Sequence, residues 1–271
     1  MPRRQTGVQE LHPKRGCRVF IRATMTLTDK VVLITGGRRI GLAVANELAA
    51  RGAHVALAYR GSKSEAERGV ADAVAQGRRA VALPADVSKA ADCEALVAGT
   101  VKALGRVDVV INMASVYGPE PFDTLTEAAW DRNLSVNLKS AFLCAQVASR
   151  EMRARGEGGR IVNFADWLSR SGRPHYTDFV AYYVAKAGVV ALTEALALEL
   201  APANILVNAI APGPILAPPD MTDDEKAEVA AATPLGRWGG EQEIVKAVLA
   251  LIETDFITGE TIRVDGGRHL R

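Results

Sequence analysis

Tyr182 and Lys186 lie four residues apart in Tyr182-Tyr183-Val184-Ala185-Lys186, so on a helix they share one face. A phenol beside an ammonium is an arrangement for proton transfer. Tyrosine titrates near ~10, so useful exchange near neutrality needs its anion stabilised by roughly three units, ~4 kcal/mol. One ammonium at ~4 Å in an effective dielectric of ~20 supplies about that much. Tyr183, three before Lys186, also lies near its face, and spacing alone does not choose between the two phenols. Upstream, an acid, Asp166, follows the strand-like run Arg160-Ile161-Val162-Asn163-Phe164-Ala165. Near the start stands Gly36-Gly37-Arg38-Arg39-Ile40-Gly41. Such glycines let backbone approach a pyrophosphate, and the helix that follows offers N–H groups and a partial positive charge.

The elements that must position these residues alternate along the chain. Lys30–Thr35 is a short apolar strand, followed by the glycine-rich turn, a helix from Leu42 and a second strand, His54–Arg60. That is a βαβ unit with a phosphate-binding turn. Ser64-Glu65-Ala66-Glu67 reads as a capping box opening the next helix. Strands then fall at Ala80–Val87, Val107–Ala114, Arg160–Ala165, Ile205–Ile210 and Thr261–Val264. Helices fall at Lys89–Leu104, over the long stretch Thr126–Arg155, around Tyr182–Leu200, and at Thr222–Ala231 and Glu241–Glu253. Seven strands alternating with helices specify an α/β fold: one doubly wound, Rossmann-type parallel sheet, covered on both faces.

Composition narrows the function. The 271 residues are 48% hydrophobic, enough for a sizeable core, and the net charge of +2 makes no case for a nucleic-acid or membrane partner. Cys17, Cys93 and Cys144 are far apart in sequence and read as reduced thiols in a cytoplasmic protein. The four histidines have no ligand spacing, so no metal is expected. No apolar run reaches the ~18 residues of a spanning helix. Residues 1–24 hold six basic residues and one acid. They read as a disordered extension, or as the product of an upstream start with Met25 the natural one, in preference to a targeting peptide. Residues 25–271 read as one Rossmann-type domain.

Together Thr35-Gly36…Gly41, Asp86-Val87, Asn112-Met113-Ala114-Ser115, Asn137, Tyr182…Lys186 and Pro212-Gly213 resemble the short-chain dehydrogenase/reductase pattern across nearly all of residues 28–267. Two departures stand out: a glycine turn one residue shorter than usual, and Met113-Ala114-Ser115 where the family shows Asn-Ala-Gly. The resemblance implies a nicotinamide cofactor held by Gly36, Arg38, Arg39, Ile40, Gly41, Asn112, Ala114, Ser115, Pro212 and Gly213, with Asp86 and Val87 beside the adenine. It selects Tyr182 as proton donor, has Lys186 bind the nicotinamide ribose, and matches Asn137 to the asparagine that holds a proton-relay water. A tetramer is the family's usual assembly. The end of the second strand, Ala58-Tyr59-Arg60-Gly61-Ser62, lacks the acid that favours NAD. Arg60 and Ser62, with Arg38 or Arg39, suit a 2′-phosphate, so NADPH is the expected cofactor.

The family's third catalytic member is a serine. Counted from the strand, its place falls on Asp166; counted back from Tyr182, on Ser169. Loops absorb insertions and strands do not, which favours Asp166. A carboxylate there would repel a developing alkoxide but accept hydrogen bonds from a nitrogen heterocycle, and would keep Tyr182 protonated. The branch with Asp at this place is the pteridine reductases, including dihydromonapterin reductase. Its Arg-bearing turn and its Asn-Asn-Ala-Ser-x-aromatic segment are similar to Gly37–Ala43 and Asn112–Tyr117, and the ending Val264–Arg271 also resembles it. That likeness implies reduction of a pterin-like C=N bond, with Arg39, Ser115, Tyr117, Asp166 and Tyr182 around the substrate. The rival reading is a carbonyl reductase such as a 3-oxoacyl thioester reductase, with Ser169 or Ser171 as third member. A non-catalytic NADP sensor is a further rival, against which the retained Tyr182–Lys186 pair argues.

Overall fold

A computed structural model describes residues 25–36, 38–171 and 177–270, the side chains of Arg170 and Ser171 excepted. In chain order the elements are β1 (Val31–Thr35), α1 (Ile40–Ala50), β2 (His54–Tyr59), α2 (Lys63–Ala75), β3 (Ala80–Pro84), α3 (Ala90–Leu104) and β4 (Val109–Asn112). Then follow α4 (Glu127–Leu134), α5 (Ser140–Arg155), β5 (Gly159–Phe164), α6 (Trp167–Ser171), α7 (Val180–Leu200), β6 (Ile205–Pro212), α8 (Asp223–Ala231), α9 (Glu241–Glu253) and β7 (Thr261–Val264). The seven strands form one sheet in the order β3-β2-β1-β4-β5-β6-β7, every pair parallel. The expected sheet is therefore present.

Strand pleating explains the near-continuous apolar runs. Val32 and Ile34 of β1 pack with α1 and α9, whereas Val31 and Leu33 face α3 and α5. Both faces are covered, so alternation of polar and apolar residues disappears from the inner strands. Each fully buried Leu, Ile or Val contributes about 1.5–3 kcal/mol relative to exposure. The strand order reverses between β1 and β4, and at such a switch point a crevice opens beyond the strands' C-terminal ends.

Three details differ from the sequence reading. The helix after β2 starts at Lys63 with Ser62 before it, so Ser64 and Glu67 fall inside the first turns and form no capping box; Ser64 Oγ instead donates to Glu65 Oε2 at 3.1 Å. A capping box is instead formed in full by Thr222 and Glu225 at the start of α8. The long helical stretch is α4 and α5 joined by a π-helical turn over Ser135–Lys139, which carries Asn137. Cys93 and Cys144, distant in sequence, bring their sulfurs to 3.6 Å where α3 packs on α5. Both are free thiols; Cys17 and the rest of 1–24 lie outside the described residues.

Candidate active site

The crevice at the switch point is a cleft of about 960 Å³. Gly36 leaves β1 with φ +78°, and a Cβ there would stand 2.8 Å from Met113 and Ala114 backbone. Only glycine lets the chain turn so close beneath the exit of β4. Thr35 Oγ1 reinforces that junction by accepting from Met113 N and Ala114 N at 3.2 and 3.3 Å. Gly41 closes the turn: its Cβ would meet Gly36 O at 2.7 Å. Arg39, in the left-handed region at φ 46°, leads into α1, and Arg38, Arg39 and Ile40 line the cleft. The Arg38 guanidinium lies 3.3 Å from Glu65, and Arg39 Nη2 donates to Ala217 O at 3.0 Å across the mouth.

Beyond this turn the cleft is walled by Tyr59, Arg60, Gly61, Ser62, Asp86 and Val87. Arg60 sits 4.0 Å from Asp86. The Asp86 carboxylate is held below its usual range chiefly by the Ser88 hydroxyl, 2.7 Å away. Val87 O accepts from Cys93 Sγ. A glycine turn at a helix N-terminus, with guanidiniums and a hydroxyl at the far end, is a donor set for a phosphorylated dinucleotide. The residues present fit NADPH, which would be held by the first turn of α1 and by Arg38, Arg60 and Ser62.

At the other end β5 delivers Asp166 and α7 delivers Tyr182 and Lys186. Tyr182 OH donates to Asp166 Oδ2 at 2.8 Å, so the acid reached by counting from the strand lies beside the phenol. Ser169 Oγ turns away to Asp166 O, and the Ser171 side chain lies outside the described ones. Burial raises the proton affinity of Asp166, against the pull of Leu168 N, Tyr182 OH and Lys186. Burial, then the neighbouring Asp166 charge, drives the Tyr182 phenol well above its ordinary value. Lys186 Nζ donates to Phe164 O at 2.7 Å, and burial lowers it to about 8. The phenol is thus raised, the direction expected of the Asp166 carboxylate and opposite to that of the ammonium alone. Nζ stands 5.8 Å from the Tyr182 ring centroid, and Asp166 is the phenol's partner.

Asn137 is buried and its side chain is fully engaged. Its Nδ2 donates to Val116 O and Asn133 Oδ1, and its Oδ1 accepts from Ser115 Oγ and Val116 N. That commits both amide protons, and the side chain holds the segment after β4. Asn112 lies buried below the cleft, donating to Asn163 Oδ1. Ala114, Ser115, Pro212 and Gly213 line the cleft, the last packed against Asp265. Tyr117 lines it too, its ring stacked on Phe179 at 4.9 Å and edge-on to Tyr182 at 5.0 Å.

Sequence reasoning missed Phe179, Trp167 and Leu168, all on the cleft wall. Phe179 had a signal: three residues before Tyr182, it shares that face of the helix entry. Trp167 follows Asp166 directly, and its ring lies 5.9 Å from the Arg268 guanidinium. Leu216, Met221 and Trp238 of the 214–238 segment face the cleft, and Trp238 is anchored by donating to Lys226 O at 3.1 Å. Arg271 lies outside the described residues. Among the described residues no helix is long and apolar enough to cross a membrane, and no cluster could hold a metal.

Residues 36–269 match the family model described as Enoyl-(Acyl carrier protein) reductase. A 3-oxoacyl-[acyl-carrier-protein] reductase of Staphylococcus aureus is 38% identical over 248 residues, spanning 89% of this chain and 98% of its own. Among solved structures, a Sinorhizobium meliloti protein described as a short-chain alcohol dehydrogenase superposes with a TM-score of 0.83 at 36% identity, covering 90% of this chain and 97% of that one. A blue fluorescent protein from a metagenomic library, solved with NADPH, also gives 0.83, at 31% identity, covering 90% of this chain and 99% of that one. None of these carries a pteridine name. They lend no support to the branch expected from Asp166 and from the turn and C-terminal motifs, and the Staphylococcus aureus relative agrees with the rival reading.

Proposed function

The chain belongs to the short-chain dehydrogenase/reductase family, and on that premise we propose that it is an NADPH-dependent reductase acting on the 3-oxo group of an acyl thioester. The observation that carries this reading is the 38% identity over 98% of a 3-oxoacyl-[acyl-carrier-protein] reductase, joined to a tyrosine hydroxyl aimed into the cleft. NADPH is supported by Arg60, Ser62 and Arg38 at the end of β2, by the lack of a carboxylate from Tyr59 to Ser62, and by the NADPH-bound relative. Bound there, the cofactor supplies a hydride. Tyr182 gives its proton to the oxygen that becomes a hydroxyl. Asp166, whose proton affinity burial raises, accepts from Tyr182 and holds the phenol hydroxyl in place, at the position where the family pattern has serine. On this reading the enzyme works in the cytoplasm as a homotetramer. Free thiols at Cys93 and Cys144 support the first, and the exposed apolar side chains Phe142, Val184 and Leu198 on α5 and α7 support the second.

A second reading, reduction of a C=N bond in a pterin-like ring, is favoured by one observation. Asp166 accepts a proton bond from Tyr182 at 2.8 Å and, as a carboxylate, would equally accept one from a ring N–H. The test is NADPH oxidation with acetoacetyl-CoA against 7,8-dihydrobiopterin, for the wild type and Asp166→Ser. The thioester reading expects the CoA substrate to be preferred and Asp166→Ser to retain turnover. Preference for the dihydropterin, abolished in Asp166→Ser, would overturn it in favour of the second.

A further inference from the structure

A chain of hydrogen bonds runs from a half-buried carboxylate to the cleft. Glu120 Oε2 accepts from Asn133 Nδ2 at 2.8 Å. Asn133 Oδ1 accepts from Asn137 Nδ2 at 3.2 Å. Asn137 Oδ1 accepts from Ser115 Oγ at 2.7 Å and from Val116 N at 3.0 Å. Asn133 and Asn137 are buried, 5% and 2% exposed, so neither amide can exchange these partners for water at no cost.

The direction of each bond follows from the chain's two ends. An ionised carboxylate only accepts, so Glu120 requires an N–H from Asn133. Ala129 O, 3.2 Å from the same nitrogen, requires the same. Asn133 must therefore turn its oxygen toward Asn137, and Asn137 must answer with Nδ2. At the inner end Val116 N–H needs an acceptor and Val116 O a donor, and Asn137 in this orientation supplies both. The hydroxyl proton of Ser115 is then drawn inward to Asn137 Oδ1, with Val116 O at 3.4 Å a longer alternative. Its lone pairs are what the cleft meets.

We propose that Glu120, acting through Asn133 and Asn137, is a positioning residue that makes Ser115 a hydrogen-bond acceptor in the cleft and holds the segment after β4 in register with Tyr182. The backbone of Glu120 adds a second restraint, since its N–H donates to Asp178 O at 2.6 Å, next to Phe179. The segment from Ser115 to Glu120 is thus pinned at both ends, with Tyr117 between them against Phe179 and Tyr182. A ligand atom that reaches Ser115 must bring its own proton.

The test has a readout that needs no substrate, so it stands whichever reduction the enzyme performs. Hydrogen exchange at the Val116 amide, measured by NMR in the full chain, is expected to quicken by about tenfold in Glu120→Ala, the loss of one bond to a charged group. Glu120→Gln keeps an oxygen acceptor and is expected to stay within about twofold of wild type, which separates loss of the bond from loss of the fold. With the substrate that turns over, kcat/KM is expected to fall by about tenfold in Glu120→Ala, and not to fall further when Glu120→Ala is added to Ser115→Ala. Unchanged exchange in Glu120→Ala would overturn the proposal. So would equal damage from Glu120→Gln, or a loss of the same size in the Ser115→Ala background.

Discussion

Replacing Lys186 by methionine should make the cofactor-free protein more stable while destroying its activity. Lys186 is only 3% exposed, and burial brings it from 10.5 to about 8. The folded chain therefore holds this proton less tightly than the unfolded chain. Between pH about 8 and 10.5 the unfolded state binds more protons, so stability rises with pH over that window. Below it the cost of the buried ammonium is present in full, and above it the cost is gone. At 1.36 kcal/mol per unit, that cost is about 3 kcal/mol at neutral pH. Methionine removes the charge and fills a similar volume, but forfeits the bond to Phe164 O, about 1 kcal/mol. The net gain is about 2 kcal/mol, or ~4–8 °C in Tm for a chain of this size. The assay is thermal or urea unfolding of wild type and Lys186→Met at pH 7 and pH 10, without cofactor. The difference should be largest at pH 7 and mostly vanish at pH 10. A variant less stable than wild type at pH 7, or a gain that is the same at both pH values, would refute the reasoning. Loss of ~10²-fold or more in kcat/KM would accompany the gain, the common exchange between stability and a functional buried charge.

Two further outcomes are expected. Arg60→Asp removes a phosphate-binding guanidinium and places a second carboxylate beside Asp86, so kcat/KM with NADPH should fall by ~10²-fold while that with NADH changes by less than ~5-fold; initial rates with both cofactors check this, and equal losses would exclude Arg60 from the 2′-phosphate site. Gly36→Ala forces a Cβ into a left-handed position 2.8 Å from Met113 and Ala114 backbone, so Tm should drop by an amount worth about 2–3 kcal/mol and NADPH affinity should fall with it; denaturation and cofactor fluorescence titration measure the two effects.

Much of the architecture was legible because parallel strands buried on both faces write themselves as short apolar runs between helical periods. Gly36, Gly41 and the arginines after them announced the cradle for the same local reason: a turn's chemistry is carried by neighbours in sequence. Asp166 was found by counting from β5, since strand registers resist insertion and the loop beyond it does not. What depended on distant partners was not legible. The spacing of Tyr182 and Lys186 placed both on one helix face, yet the ammonium's actual partner, Phe164 O, belongs to β5. Asn137 could be matched to a role but not to its bonds with Asn133, Ser115 and Val116, three contacts from two segments. The Cys93–Cys144 contact arises from the packing of α3 on α5, which no local pattern encodes. The motifs that pointed to pteridine reductases are short, whereas whole-chain identity averages over every element; the two disagree because Asp166, Arg39 and Tyr117 are few among many residues.

The strand order also bears on synthesis. β1 lies between β2 and β4, and Ile34 pairs with Leu57 on one side and Ile111 on the other. As the chain emerges at about 5–20 residues per second, the first neighbour arrives soon and the second only after β2, β3 and three helices have passed. In that interval Val32–Thr35 presents unpaired backbone groups between two wholly apolar faces, a template for any other strand. The second edge of β1 is thus covered only on the arrival of β4, the strand whose exit the cleft also uses.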